Sequence, residues 1–476
     1  MTGKANRLLL AWALLVFGIC FALYTILFFL PPGRGMQAPT TGDEPHYLVM
    51  TQSLLEDGDL TLENNYRSEC YREAGYYPLR LDNPHLVKGR GRLVSSHNVM
   101  LSLLILPGFA LAGWRGAGIT MILLVSLSGL MVFLTIRRFT SQGASAAVTL
   151  FFFLTYPLLL YSRLIYPEVV ALFLLSVAVH SCVRLRESGK MLDLAVAGLC
   201  GGILPLLHVK FTVITAFLGL WVVLEYRKAL RRTAPFFIPV AVLIAGLLAW
   251  TAYLYGPNIV SGLSVLAKGS YRPGTSYQGI LGLYLDRTLG LLPYAPLYIA
   301  LFMGMPLPSK SEDWRKWWIA LPALVAAYSL VAGSFEHWHG GAAPAPRYLV
   351  PLLPLFILCS SLVFVKVRKP WLAAGLAALA AFQVVLTVCA RICPASVCIA
   401  HGARNELYIF IFGDNQVSRT LERLFPIFHP VTYRTAVMAA IWAAFLAALI
   451  LFRRRYLATV PGELLDSVGS PLTGDG

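Results

Sequence analysis

Two adjacent carboxylates, Asp43 and Glu44, follow the first long apolar run in "TTGDEPHYLVMTQSLLEDGDL". Glu168 stands at the edge of another apolar run, in "LIYPEVVALFLL", and His208 and Lys210 stand between two more, in "LHVKF". A fourth segment, "FEHWHGGAAPAPRYLVPLLP", carries Glu336, His337, His339 and Arg347 in a Gly/Pro-rich stretch. A carboxylate can take the proton of an attacking hydroxyl. Lys grips a phosphate as a point charge and Arg grips it through two parallel bonds, while His and carboxylates together can hold a metal ion. Each group also has a plainer use. Asp43 and Glu44 would stabilise a helix N-terminus, and Lys210 would reach for the membrane surface. His337 and His339 would pack a loop, and Arg347 would flank a span.

The elements that must position these residues are apolar. The chain is 57% hydrophobic and 13% charged, far more apolar surface than a soluble protein of this length has to bury. About twelve runs approach the roughly 20 residues of a membrane-spanning helix: 8–30, 117–136, 143–161, 167–183, 192–207, 211–225, 234–255, 289–306, 317–333, 348–365, 371–390 and 435–452. The first is too long for a signal-peptide core and no small-residue cleavage site follows it, so it reads as a retained span. The runs 192–207 and 211–225 are short, and one long buried helix competes with a tight hairpin. The hairpin is preferred because it keeps the basic loops on one side.

A net charge of +16 would suggest a nucleic-acid partner in a soluble protein. Here the basic residues gather in short loops such as "IRRFTSQ", "VRLRESGK" and "EYRKALRRT", the pattern of cytoplasmic loops, and no nucleic-acid partner is expected. With both termini cytoplasmic, every residue named above falls on the extracytoplasmic face of a plasma or inner membrane. The expected organisation is one transmembrane domain over 1–456, with a first outer loop over 31–116, and a short disordered cytoplasmic tail over 457–476. In that loop, Pro45 in the first turn and the apolar side chains Leu48, Leu54 and Leu55 predict an amphipathic helix lying along the membrane surface. The apolar piece "VMLSLLILPGFALAG" is too short to span comfortably and is expected in the interface. Cys393 and Cys398, in "RICPASVC", fall in an outer loop where a local disulfide can persist.

An Asp-Glu pair directly after the first span, opening a loop helix that continues into "SLLEDGDL", resembles the GT-C superfamily of lipid-linked-sugar glycosyltransferases, closest to its aminoarabinose-transferase and protein O-mannosyltransferase-like branch. The resemblance covers most of the chain as an architecture and is specific in sequence around 40–60, 95–115 and 160–170, and more loosely around 334–355. It implies an all-α polytopic GT-C-like fold with loop helices. It also implies a membrane enzyme moving a sugar from a polyprenyl-phosphate donor to an envelope glycan, lipid or protein acceptor. Asp43, with Glu44 beside it, takes the acceptor-side carboxylate role, and Glu168 the second acidic position, where related enzymes often have Asp. Lys210 and Arg347, then Arg163 and His97, are the candidates for donor phosphate. The family's Lys-Pro-Pro stretch is absent, and "SSHNVM" stands in its place.

Such a reaction needs a bilayer-facing groove for the lipid, cations for the phosphate and a carboxylate within about 3 Å of the acceptor hydroxyl. It would proceed by single displacement with inversion at the anomeric carbon. A divalent metal between carboxylates and phosphate would stabilise developing charge, with His208, His337, His339 and Glu336 as further substrate or metal candidates. Two other functions share the substrate class: a polysaccharide polymerase or ligase, and a lipid-linked-sugar flippase. A transporter usually keeps its ionisable groups near the midplane between repeats, and neither feature is evident here.

Overall fold

The computed structural model describes residues 3–31, 33–34, 42–68, 81, 85–258, 262–263, 265, 276–305, 312–398, 404–428 and 431–457. The expected tail over 457–476 lies outside them except for Leu457. Helix α1 (Gly3–Phe29) is followed by α2 (Glu44–Glu56), the short α3 (Glu63–Arg67) and an antiparallel hairpin of β1 (Leu86–Gly89) and β2 (Arg92–Ser95). Then come α4 (Met100–Ile136), α5 (Gln142–Phe153), α6 (Leu158–Tyr161), α7 (Pro167–Ser188), α8 (Met191–Leu207), α9 (Thr212–Glu225) and α10 (Ala234–Tyr255). The second half contains α11 (Ser276–Leu285), α12 (Leu291–Tyr294), α13 (Ala300–Gly304), α14 (Glu312–Gly333), α15 (Leu353–Lys366), α16 (Pro370–Ile392), α17 (Glu406–Phe412), α18 (Gln416–Arg423) and α19 (Tyr433–Tyr456).

Among the described residues, 7 helices are long and apolar enough to cross a membrane, and three shorter apolar helices lie at Gln142–Phe153, Met191–Leu207 and Ile319–Gly333. Helices are the natural solution here, because a helix satisfies its own backbone polar groups in hydrocarbon. Helix α7 and the segment from Arg347 to Lys366 form the buried centre, while α1, α10, α16 and α19 expose Leu14, Val242, Val388 and Leu451 at the periphery.

Three sequence expectations change and one is made more definite. The run 289–306 is not one helix. It breaks into α12, a 3₁₀ turn (Pro296–Ile299) and α13, because Pro293 and Pro296 each lack an N–H donor. The expected interfacial piece is the first half of α4, which is broken from the second half at Ala112 (φ −150°) and Gly113 (φ 57°). Helix α2 does not lie on the surface along one face: Glu44 to Thr51 and Ser53 are all buried in the bundle, and only its C-terminal turn emerges, with Leu55 exposed. Cys393 and Cys398 are free thiols flanking a 3₁₀ turn (Pro394–Val397). The runs 192–207 and 211–225 do form two helices, joined through an extended His208 and a 3₁₀ turn (Val209–Phe211).

Candidate functional site

Four elements end at one place. Gly42, in a left-handed turn (φ +51°), delivers Asp43 to the head of α2, and a side chain there would collide with the Tyr166 hydroxyl, 2.5 Å from where its Cβ would stand. Pro45 in the first turn suits the helix start. Asp43 precedes α2 but makes no side-chain cap bond to it, so helix capping does not account for its carboxylate. Pro167 opens α7 and places Glu168 in the first turn, where the helix dipole favours a negative charge. The turn between α8 and α9 supplies Lys210, and the 3₁₀ turn Arg347–Leu352 supplies Arg347. The backbone before Arg347 is clamped: Tyr161 donates to the Pro344 carbonyl, Tyr156 donates to the Ala345 carbonyl, and the Ala345 N–H donates to Val397 O at 3.1 Å.

These residues form one chain of charges. Lys210 Nζ donates to Glu168 Oε1 at 2.5 Å, Arg347 Nε donates to the same oxygen at 3.0 Å, and Arg347 Nη2 donates to Asp43 Oδ2 at 2.7 Å. Arg347 Nη1 donates to the carbonyl of Gly340 at 3.2 Å. Gly340 has φ +84° and lies so close that a Cβ would stand 2.8 Å from that of Arg347. Aromatic faces complete the cation sites, with Lys210 3.8 Å from the Tyr348 ring centre and Arg347 4.3 Å from that of Tyr166. Burial lowers the Lys210 ammonium to about 8, against the pull of Glu168. Glu168 is fully buried, and its second oxygen, Oε2, meets no donor among the described residues. Asp43 is the more accessible carboxylate, with 13% of its side chain exposed.

The other side of Asp43 faces histidines. Asp43 Oδ1 lies 3.9 Å from His85 Nε2, and His85 Nδ1 shares a hydrogen bond with His97 Nε2 at 3.0 Å. One potential ligand atom from each of Asp43, His85 and His97 falls within 4.8 Å of the others. His46 stacks on His85 at 4.2 Å between ring centres, and its Nδ1 is 2.7 Å from the Tyr66 hydroxyl. The hairpin sets this up. Its open end is closed by the Ser96 N–H donating to His85 O at 2.8 Å, which brings His85 and His97 together, and Tyr255 of α10 donates to Ser95 O at 2.9 Å. Ser102, in the first half of α4, donates to Tyr47 O at 3.0 Å and holds α2 alongside.

The remaining candidates take other places. Glu44 is buried and accepts the Ile165 N–H at 2.8 Å, which fastens α2 to the loop before α7. His208 Nδ1 accepts the Lys210 N–H at 3.2 Å and packs its ring edge-on to Phe335. His339 is buried and accepts the Gly341 N–H at 3.2 Å, whereas Glu336 and His337 are exposed. Arg163 is half-buried in the loop between α6 and α7. His85, His46 and Tyr66 were not singled out in the sequence. Their one signal is that His46, His85 and His97 all fall in the same loop.

No family model matches the chain, and no curated protein matches it. Among solved structures it is similar to ArnT from Cupriavidus metallidurans bound to undecaprenyl phosphate, at 15% identity, with a TM-score of 0.52, covering 95% of this chain and 78% of that one. It is also similar to the apo Archaeoglobus fulgidus oligosaccharyltransferase, at 13% identity, with a TM-score of 0.49, covering 87% of this chain and 60% of that one. The fold assignment rests on the first match: the chain has a predominantly helical, polytopic GT-C-type membrane fold.

Proposed function

We propose that this protein is a membrane glycosyltransferase that moves a sugar from a polyprenyl-phosphate donor to a hydroxyl of an envelope glycan, lipid or protein on the extracytoplasmic face. The observation that carries the reading is the Asp43–Arg347–Glu168–Lys210 chain of charges at one end of a GT-C-type fold. Ionisable residues are expensive at membrane depth and mark function by default. A buried ion pair is a weak stabiliser in its own right, so stability alone does not account for three such groups chained to one accessible carboxylate.

In this reading Asp43 accepts the proton of the acceptor hydroxyl as its oxygen attacks the anomeric carbon. The bond from that carbon to the phosphate oxygen breaks, the lipid phosphate leaves with the electron pair, and the configuration inverts. A phosphate leaving group needs little acid assistance, so one base suffices. Arg347 orients Asp43 with one arm and is anchored by Glu168 and Gly340 with the others. Glu168 is a positioning residue, because it is fully buried and already accepts from two cations. With all three of its nitrogens engaged, Arg347 serves the carboxylates before it serves a phosphate.

Two imidazoles and a carboxylate are a donor set suited to a divalent ion such as zinc. Asp43, His85 and His97 would hold it, and its charge would make a nearby hydroxyl easier to deprotonate. The reading is tested by mass spectrometry of envelope glycans and lipid extracts from cells with and without the protein. Loss of one sugar from one glycan, with accumulation of the matching polyprenyl-phosphate sugar, supports it. Unchanged glycans and lipids would remove it.

A further inference from the structure

A cavity of about 550 Å³ lies at the tip of the hairpin, away from the histidines at its open end. That volume falls within the range of about 300–1,000 Å³ usual for small-molecule sites. Three elements wall it: Asp59 and Thr61 from the turn after α2, Arg90 and Arg92 from the hairpin tip, and Trp250 and Tyr253 from the last turns of α10. The walls are tied together. Arg90 Nη2 donates to the Ala252 carbonyl at 3.0 Å, and the Leu62 N–H donates to the Leu93 carbonyl at 2.9 Å. Gly89 passes so close to α10 that a Cβ there would stand 2.6 Å from the Leu254 carbonyl oxygen. Asp59 Oδ1 is held by the Thr61 N–H at 2.9 Å and the Ser53 hydroxyl at 3.3 Å. The cavity is therefore preformed, with its walls fixed by hydrogen bonds and a close backbone contact.

Its lining combines charge with aromatic surface. Arg92 makes no ion pair or side-chain hydrogen bond among the described residues, although Asp59 lines the same space, and Asp59 Oδ2 likewise accepts from none of them. Arg90 and Gly91 have φ of 46° and 81°, the positive pair of a type I′ hairpin turn, where Asn-Gly is the easier choice. Arg90 uses one donor on α10 and keeps the rest. The Trp250 and Tyr253 rings stand 5.9 Å apart, tilted by 32°. Trp and Tyr at the end of a span ordinarily anchor it in the membrane interface. Here they share a cavity with two guanidiniums and a carboxylate, which lipid tails do not match. A simple anion would leave the rings and Asp59 unused. A sugar uses all of them: its C–H face lies on an aromatic ring, and its hydroxyls donate to a carboxylate and accept from a guanidinium. Two arginines against one aspartate leave the cavity net positive. The sugar that fits therefore carries an acidic group, which Arg92 can grip through two parallel bonds.

We propose that this cavity binds an acidic sugar unit of a glycan acceptor, away from the unit that reacts. The inference rests on the glycosyltransferase reading and deepens it, since it selects a glycan over a lipid or a protein as the acceptor. The hairpin sets the spacing. Its open end carries His85 and His97 beside Asp43, and from His85 to Gly89 the extended chain runs about 13 Å at about 3.3 Å per residue. One sugar ring does not bridge that length, so the occupant is a unit farther along the glycan. Contacts made there hold the acceptor without touching the reacting atoms, as remote parts of a substrate do.

The test uses the full-length protein in detergent, immobilised for biolayer interferometry. The probe is the delipidated glycan fraction from envelopes of cells lacking the protein. It is offered untreated, with its carboxylates amidated, or with its phosphates removed by hydrogen fluoride. The untreated fraction should bind, and one of the two treatments should abolish binding and so identify the acid. Arg92→Gln should weaken binding about tenfold or more, the loss of one charge-assisted contact, and Arg92→Glu should abolish it. Tyr253→Ala, at an exposed position, should weaken it as well, with the melting temperature unchanged. Asp43→Asn should bind the glycan as wild type does. Failure of the untreated fraction to bind would overturn the proposal, as would binding that survives both treatments or is equal in the Arg92 and Tyr253 variants. Glycerol phosphate competing as well as the glycan would make the cavity a lipid-headgroup contact and overturn it too. Glycan binding through Arg92 without any sugar transfer would keep this site and remove the glycosyltransferase reading. Sugar transfer lost in Asp43→Asn, with glycan binding indifferent to Arg92, would do the reverse.

Discussion

Arg347 reaches Asp43 at 2.7 Å across the site, joining the start of a loop helix to a 3₁₀ turn that stands 304 residues away in sequence. The same guanidinium holds Glu168 at 3.0 Å, so one residue fixes the distance between the accessible carboxylate and the buried one. Arg347→Ala should lower kcat by roughly 10²-fold or more, the scale seen when a preorganised donor is removed. It should also cost about 3–5 kcal/mol of stability, because the buried Glu168 loses one of its two cations and the half-buried Asp43 loses its arginine. Arg347→Lys should recover much of the stability and little of the rate, since an ammonium does not present the planar fork that bridges two carboxylates. Melting temperature and single-turnover rate, measured on the same preparations, separate the two effects. A full rate in Arg347→Lys would show that orientation of Asp43 is unimportant.

Lys210 gives the site an alkaline limit. Its ammonium titrates near 8 rather than 10.5, chiefly because it is buried. As pH rises through that value Glu168 loses one of its two cations, and the rate should fall with an apparent pKa near 8. Stability should move the other way. Between about 8 and 10.5 the folded protein holds fewer protons than the unfolded chain, so stability rises with pH across that window. Lys210→Arg should shift the alkaline fall in rate above pH 10. An unchanged profile in that variant would assign the limb to another group.

How much of this was legible in the sequence depends on the kind of signal each residue gives. Asp43, Glu168, Lys210 and Arg347 stood out because ionisable residues at the edges of apolar runs are costly, and their convergence followed from placing them on one side of the bundle. His85 did not stand out. It belongs to "NPHLVKGRGRLV", a hairpin of two four-residue strands whose pattern is too short to show a period of two. The buried course of α2 was equally hidden. Its Leu48, Leu54 and Leu55 suggested one apolar face, whereas burial all round its first turns comes from α4 and the loop before α7, which local sequence does not encode. The break at 289–306 was visible as two prolines but was outweighed by the length of the apolar run.

The histidine cluster makes a metal prediction. Purified protein should carry about one zinc-class divalent ion per chain, as elemental analysis would read it. His85→Ala and His97→Ala should each reduce that content, and His337→Ala, at an exposed position away from the three ligands, should not. Equal metal content in all four proteins would place any ion elsewhere.

Topology can be checked without knowing either substrate. The basic short loops predict that Glu336 and Lys190 lie on opposite sides of the membrane, and both are exposed. In a background without native cysteines, Glu336→Cys should react with a membrane-impermeant thiol reagent in intact spheroplasts, and Lys190→Cys should react only after lysis. The reverse pattern would turn the site toward the cytoplasm and remove the extracytoplasmic acceptor.

The central claim is that Asp43 is the base for sugar transfer. Asp43→Asn keeps the shape of the side chain and its place beside Arg347 while removing its ability to take a proton, so the rate should fall by roughly 10²–10⁴-fold. The direct measurement is complementation of a strain lacking the protein, with Asp43→Asn expressed at the wild-type level in the membrane and envelope glycans and polyprenyl-phosphate sugars read by mass spectrometry. The expected result is the same missing sugar and the same accumulated lipid-linked donor as in the strain with no protein at all. Restoration of the glycan to its wild-type level by Asp43→Asn would contradict the account.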